Sequence, residues 1–297
     1  MKALTLLILT SAVAGIVAAA LLSSSEGPVR VPSGFGETAL TKPATVPKAQ
    51  AFKDCAQCPD MVAVPAGAFT MGSPPSELYR GAEMQHRVTI AAPFALGKYE
   101  VTFAEWDACV ADGGCGGYKP DDHGWGRENR PVVDVSWDDA KIYVAWLNKK
   151  TGKAYRLPSE SEWEYAARAG ATTAFSFGAT ITSQQANYDG STAYGEGATG
   201  PARKKTMPVG SFPANAFGLH DMHGNVWEWL EDCWSEEYTA ASPANGAPYR
   251  GGNCAGRVMR GGSWEDYPGD LRAAARVGSN TDDQSWADGF RVARAME

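Results

Sequence analysis

Between residues 260 and 294 the chain sets Arg260, Arg272, Arg276, Arg291 and Arg294 among Glu265, Asp266, Asp270, Asp282, Asp283 and Asp288. Charges that enter a protein interior must be paired, so the first expectation for this run is an ion-pair lattice that stitches loops together. The segment RGGSW (260–264), followed by Glu265 and Asp266, offers more. Gly261 and Gly262 permit close backbone approach, and Ser263 supplies a hydroxyl. A carboxylate close to an indole, as Asp266 is to Trp264, often has a raised pKa, which suits a general base near neutral pH.

Other chemistries are poorly served. His220 and His223 stand three apart, but neither belongs to HExxH and no third ligand lies at a recognisable spacing. They read as structural or surface residues, and His86 and His123 are isolated. The chain has no G-x-S-x-G, Walker A or kinase set.

The elements that must hold these groups belong to an acidic chain of 297 residues with net charge −7 and ten tryptophans. That balance argues against nucleic acid or an anionic membrane surface as partner. Met1 and Lys2 precede an uncharged run, Ala3 to Leu22, with small residues at Ala18, Ala19 and Ala20. It reads as a secretory signal, and it is long enough to serve as an uncleaved anchor. The chain is therefore expected in the periplasm or outside the cell, with membrane attachment only through residues 3–22. Residues 23–53 are rich in Pro, Ser, Thr and Ala and read as a linker, leaving one domain over 54–297.

In an exported chain six cysteines read as oxidised. They fall into three near neighbours, Cys55/Cys58, Cys109/Cys115 and Cys233/Cys254. Local pairing is the expectation from spacing, and a redox or metal role for Cys55-x-x-Cys58 is the alternative.

MVAVPAGAFTMGS (61–73) alternates around Pro65-Ala66-Gly67 like a hairpin, and HRVTIAAPFALGKYEV (86–101) reads as two further short strands. Three helices have start signals. Thr102 with Glu105 makes a capping box ahead of Trp106, Cys109 and Val110. Ser136 leads a helix with Ile142, Tyr143, Trp146 and Leu147 on one side, closed by Lys149, Lys150 and Gly152. Ser159 with Glu162 caps a third, which carries Trp163, Ala166 and Ala167 and stops near Gly170. Beyond it helical periodicity is lost.

Taken in order, LPSESEWEYAAR (157–168), GNVWEW (224–229), RGGSW, LRAAARVGSN (271–280) and DGFRVAR (288–294) resemble the formylglycine-generating enzyme / sulfatase-modifying factor family, and the resemblance covers about 240 residues. It implies an α+β fold of the C-type-lectin-like kind, loop-rich and stabilised by disulfides and calcium. It also implies a calcium loop in FGLHDMHGNVWEW (217–229), with side chains from Asp221 and Glu228 and carbonyls from Gly224 and Val226. The bland reading of that loop is a glycine turn with Glu228 paired to an arginine. A second calcium set begins at Asn187 and Tyr188, but its later aspartate has no counterpart in GPARKKTMPV (200–209), where Asp189 is the available substitute.

The enzymes of this family hold copper(I) on two cysteines just after the Gly-Gly-Ser. Here the first of those positions falls on Asp266, and copper(I) prefers thiolates to carboxylates, so no copper is expected. The resemblance implies a cleft lined by Ser263, Trp264, Asp266 and Asn280, with Glu265 nearby. In it Ser263, Asp266 and Glu265 would act and Trp264, Asn280 and Arg272 would bind a small molecule or peptide. The family's cysteine-free members include pyoverdine-maturation proteins, which points to an exported oxidative tailoring enzyme. The rival is a non-catalytic binding or accessory module on the same fold.

Overall fold

The computed structural model describes residues 51–296. The expected leader over residues 1–22 and most of the expected linker, residues 23–50, lie outside them. Among the described residues no helix is long and apolar enough to cross a membrane.

Three helices form where the caps predict. Helix α1 spans Phe103–Ala111, α2 spans Trp137–Thr151 and α3 spans Glu160–Arg168. Each opens on a complete capping box, Thr102 with Glu105, Ser136 with Asp139 and Ser159 with Glu162, so that two otherwise unpaired donors are satisfied at each start. Helix α2 ends on Gly152 in the left-handed conformation, as a glycine cap should. Its buried side carries Ala140, Tyr143, Val144, Trp146 and Leu147, whereas Ile142, expected there, is 46% exposed. Helix α3 is buried on every side although it carries three glutamates. A polar helix can be buried throughout only if its charges find partners, and they do so in the nearby Arg156 and Arg168 and the distant Arg260 and Arg276.

The strands form three sheets. The first orders β1 (Met61–Val64), β4 (Phe94–Gly97), β10 (Ala293–Ala295) and β5 (Tyr155–Arg156), all antiparallel. The second pairs β2 (Gly67–Met71) with β3 (His86–Ile90). The third orders β8 (Arg276–Asn280), β7 (Asn253–Arg260), β6 (Trp227–Trp234) and β9 (Asp288–Gly289), the last pair parallel. The hairpin expected over 61–73 is thus not one. Pro65 and Ala66 carry the chain from one sheet to another, and β1 and β2 each pair with a strand further along. Phe52, assigned to the linker by composition, bridges Met61, and Asp54 takes both Arg294 and Tyr155.

Among the described residues three apolar clusters fill the interior, the smallest of them around Phe175, Ile181, Tyr188 and Leu271. One gathers Trp106, Tyr143, Trp229 and Phe290, and another Trp163, Leu96, Phe217 and Leu230. Three disulfides close short loops as the spacing predicts: Cys55–Cys58, Cys109–Cys115 and Cys233–Cys254, the last joining β6 to β7.

The ion-pair lattice exists, but its acids come from elsewhere in the chain. Arg260, fully buried, donates to Glu160 and Glu164 and to the carbonyls of Ala273 and Ala275. Arg276 also donates to Glu160, Arg291 to Glu228, Arg272 to Glu77 and Glu83, and Arg294 to Asp54. Burial alone would raise the Glu160 pKa; Arg276 and Arg260 outweigh it and hold the carboxylate at about 2. Among the described residues, Glu265, Asp266, Asp270, Asp282, Asp283 and Asp288 have no ion-pair partner.

Candidate functional site

Strand β7 ends at Arg260, and the next two residues turn the chain through positive φ angles, 102° at Gly261 and 71° at Gly262. A side chain on Gly262 would come within 2.8 Å of Leu271 and 3.0 Å of the Asp270 carbonyl, so the turn requires glycine. Ser263 follows, fully buried. Its backbone N–H donates to Asp266 Oδ2 at 2.9 Å and its hydroxyl to the same oxygen at 2.5 Å. Two donors on one oxygen fix the Asp266 carboxylate and commit the serine proton to it. The Trp264 N–H donates to the carbonyl of Asn225, and the Asp266 carbonyl accepts from Asp189. The loop is thereby tied to both expected calcium segments.

The opposite wall comes from two stretches separated in sequence. Asp134 donates its backbone N–H to Ser285, and Trp227 donates to Ala287, which holds residues 285–288 beside β6. His123 Nε2 lies 2.7 Å from Asp134 Oδ2. Both residues have left-handed backbones, φ 52° and 54°, unusual for residues that carry a side chain and characteristic of sites where local strain is maintained by the surroundings.

Four rings close a circle: His123 against Trp125 (5.0 Å between centroids), Trp125 against Trp264 (5.4 Å), Trp264 against Trp286 (5.9 Å) and Trp286 against His123 (5.8 Å). Trp286 is exposed, and its indole N–H donates to both oxygens of Glu265 at 3.0 Å.

Asp288 completes the cluster. It is 9% exposed, and its carboxylate has no hydrogen-bond or ion-pair partner among the described residues. Burial, reinforced by Asp266, Glu265, Asp283 and Asp134, pushes its pKa up to about 7. A buried carboxyl that titrates near neutrality beside a rigid serine–aspartate turn can take up and return a proton.

Two expected substrate-binding residues are engaged by neighbours within the chain. Asn280 is exposed and bonds to Asp283. It pairs with Gly256 on β7, and its partner Asp283 is one of the acids that act on Asp288. Arg272, expected to bind substrate, is buried with its guanidinium committed to Glu77, Glu83 and the carbonyls of Tyr79 and Gly269. Ser263, Trp264, Glu265 and Asp266 do come together. His123, Trp125, Asp134, Trp286 and Asp288 were not foreseen. The one local signal was Asp122-His123-Gly124-Trp125, a polar turn sequence enclosing a histidine.

Within the expected calcium loop, Glu228 accepts Arg291 through both oxygens at 2.6 Å, and the Trp163 indole N–H as well. This is the arginine pairing of the bland reading. Asp221 accepts from Gly210, and burial with the nearby Glu228 charge raises its pKa to about 6. Glu100 is buried beside them, with one carboxyl oxygen lacking any hydrogen bond, and the Asn187 side-chain oxygen is likewise buried and unpartnered. Glu100, Asp221 and Glu228 thus share the charge of Arg291, and the donor set of oxygens fits a hard cation in kind. Three carboxylates do not converge at ligand distance, so amide and carbonyl oxygens would have to complete any shell. At the second set, the Asn187 amide donates to Asn225 and to the Lys205 carbonyl, Tyr188 is buried, and Asp189 caps Ser191. His223 is buried, with its pKa lowered to about 4, and bonds to Leu271 and Ser176. His220 bonds to Phe212. Both histidines are structural.

The sulfatase-modifying factor enzyme 1-like domain model matches residues 47–296. A formylglycine-generating enzyme of Thermomonospora curvata is 31% identical over 294 residues, covering 78% of this chain and 92% of its own. That of Streptomyces coelicolor is 39% identical over 180 residues, and the match spans 57% of this chain and only 54% of the enzyme. The solved structure of PvdO from Pseudomonas aeruginosa is 40% identical, with a TM-score of 0.72, and the match covers 84% of this chain and 99% of that one.

Proposed function

Because the chain belongs to the family of sulfatase-modifying factor enzyme 1-like domains, we propose that it is an exported tailoring enzyme. It acts on a small molecule or peptide such as a siderophore precursor, in the cleft between the Ser263–Asp266 turn and Asp288. The observation that carries this reading is Asp288, a buried carboxyl without a partner whose pKa is about 7. The likeness to PvdO and the three disulfides, which form in oxidising compartments, support the tailoring role and the periplasmic or secreted location.

The family's copper-thiolate chemistry does not fit these residues. All six cysteines are joined in disulfides, leaving no thiolate to bind copper(I), and the first of the family's two cysteine positions after Gly261-Gly262-Ser263 falls on Asp266. The oxidative step is instead a two-electron removal in which Asp288 accepts a substrate proton and the carbanion left behind passes first an electron and then a hydrogen atom to dioxygen. The carboxyl then releases its proton to the resulting peroxide anion. Ser263 holds Asp266 in place, and the indoles of Trp264 and Trp286 orient the substrate and exclude water. Calcium at Asp221, Gly224, Val226 and Glu228 would hold the fold without entering the reaction.

The test is to incubate the purified protein with the reduced form of a siderophore precursor under air and follow the substrate by mass spectrometry. Loss of two hydrogens with formation of peroxide, abolished in Asp288→Asn, is expected. Tight binding without turnover would overturn the catalytic reading in favour of a binding module.

A further inference from the structure

Of the six cysteines, Cys254 alone is exposed, while its partner Cys233 is buried. The other two bridges are better shielded. Cys109 and Cys115 are both buried, and in the first pair Cys58 is buried and Cys55 half-buried. The asymmetry of the third bridge has a cause in the sheet. Cys233 on β6 stands opposite Arg257, and the next residue, Trp234, stands opposite Asn253. Three residues of β7, 254–256, thus face a single step of β6, and Cys254 lies in that irregularity. Extra residues in one strand break the ladder locally and re-aim side chains, which is how a cysteine crosslinked to the interior comes to face solvent.

The buried sulfur has a cation beside it. Arg257 donates from Nη1 to Cys233 Sγ at 3.5 Å and to the Glu231 carbonyl at 2.9 Å, and its guanidinium lies 4.0 Å from the centre of the Trp137 ring. Its Nε is buried without a hydrogen bond, and the guanidinium has no carboxylate partner among the described residues. Glu231, whose carbonyl it uses, gives its carboxylate to Lys141 and Arg250. A half-buried cation without a countercharge is an incomplete arrangement, and a thiolate at Cys233 would complete it. Burial alone would make that thiol reluctant to ionise; the adjacent guanidinium works in the opposite direction and makes Cys233 a better leaving group.

We infer that Cys233–Cys254 is a thiol–disulfide exchange site, separate from the reaction proposed above, that takes two electrons from a dithiol. A thiolate of the dithiol attacks Cys254 from the solvent side. The bond between Cys254 and Cys233 breaks as the mixed disulfide forms, and the electron pair leaves on Cys233 as a thiolate held by Arg257. The second thiol of the dithiol then attacks the dithiol's own sulfur in the mixed disulfide, expels Cys254 and closes a new disulfide. One disulfide is reduced and one is formed. Of the dithiol's two protons, one ends on Cys254 and the other goes to solvent, with Cys233 staying ionised beside Arg257.

The test exposes the native protein to limiting dithiothreitol at neutral pH, with samples quenched in acid, alkylated and mapped by mass spectrometry. Cys233–Cys254 should open at least about tenfold faster than Cys109–Cys115, and faster than Cys55–Cys58. With glutathione as the thiol, the adduct should sit on Cys254 and not on Cys233. Arg257→Gln should slow the opening of Cys233–Cys254 severalfold and leave the other two bridges unchanged. It should also move the ultraviolet thiolate absorbance of the reduced protein to higher pH, and Arg257→Lys should restore part of both effects. In a parallel arm a reduced Cys-x-x-Cys oxidoreductase replaces dithiothreitol at equal thiolate concentration: faster opening assigns the dithiol to a protein, and slower opening to a small molecule. Equal rates at the three bridges, or an adduct on Cys233, overturns the proposal. So does an Arg257→Gln variant that opens as fast as the wild type, or one in which all three bridges open faster, which would make Arg257 a purely structural residue.

Discussion

Asp288 shows how a site is built from one residue's surroundings. An aspartate in water ionises well below neutrality; here burial and four neighbouring carboxylates raise the pKa from 3.8 to about 7. The folded state therefore holds a proton that the unfolded chain has already released at intermediate pH. Stability falls as pH rises from about 4 to about 7, and the full penalty remains above that. Asp288→Asn has no charge to bury, so it should melt above the wild type at pH 8, with the difference closing as pH drops toward 4. Each pKa unit corresponds to about 1.4 kcal/mol, so the gain is at most about 4 kcal/mol, read by thermal melts across that range. An unchanged difference at pH 5 and pH 8 would show that the carboxyl does not titrate as the surroundings require. A residue that destabilises the fold when ionised and is yet accommodated is what a functional carboxylate looks like. Its role was invisible in sequence because, Asp283 apart, the acids that act on it come from other segments: Asp134, Glu265 and Asp266. Ser263, Trp264 and Asp266 were legible because the Gly261-Gly262 turn is a local feature. The contacts of Asn280 with Asp283 and of Arg272 with Glu77 and Glu83 were not legible, because side-chain pairing is a tertiary fact.

Elements were legible where their signal is local. Capping boxes at Thr102, Ser136 and Ser159 require only three residues of context, and all three helices start there. Alternation over 61–73 does indicate strands, but it does not indicate partners. Val62 and Val64 face the core equally well in a hairpin or paired with β4, and the pairing with β4 is what occurs. The longest strands, β6 and β7, depend on a crosslink at a place where their register shifts, since Cys233 sits at the irregularity. With its cysteines 21 positions apart, this disulfide should contribute roughly 3 kcal/mol by loop closure. Replacing Cys233 and Cys254 by serine should lower the denaturation free energy by about that amount, measured by guanidinium unfolding. The same replacement at Cys55 and Cys58, where the loop is only three residues, should cost much less. Equal losses at the two sites would mean that native packing around the sulfurs, and not chain entropy, sets their contribution.

At the scale of the whole molecule, regular structure is sparse after Arg168, and charge does much of the joining. Motif order made the family fold readable from sequence; the partners of its arginines were not, because Glu160, Glu164 and Glu228 lie 63 to 116 residues away from them. Arg291 alone ties β6, the Gly97 carbonyl and the His220 carbonyl into one joint. That joint also contains Glu100 and Asp221, so its acids outnumber its one guanidinium, an arrangement that a divalent cation would complete. If calcium binds there with Asp221, Gly224, Val226 and Glu228, it stabilises the native state in proportion to its concentration. EDTA should lower the melting temperature by several degrees, and added calcium should restore it. Glu228→Gln is an ambiguous variant, because it also weakens the pair with Arg291, and breaking a buried pair costs about 3–5 kcal/mol whatever the metal does. Asp221→Asn separates the two effects. Asp221 has a left-handed backbone, φ 57°, which asparagine tolerates as well as aspartate does. In calcium the variant should melt below the wild type, having lost a charged ligand. In EDTA it should melt at or above the wild type, because one buried negative charge has been removed from a joint that has too many. Parallel melting curves for the two proteins in both buffers would place the stabilising cation elsewhere or nowhere, and the joint would then be held by Arg291 alone.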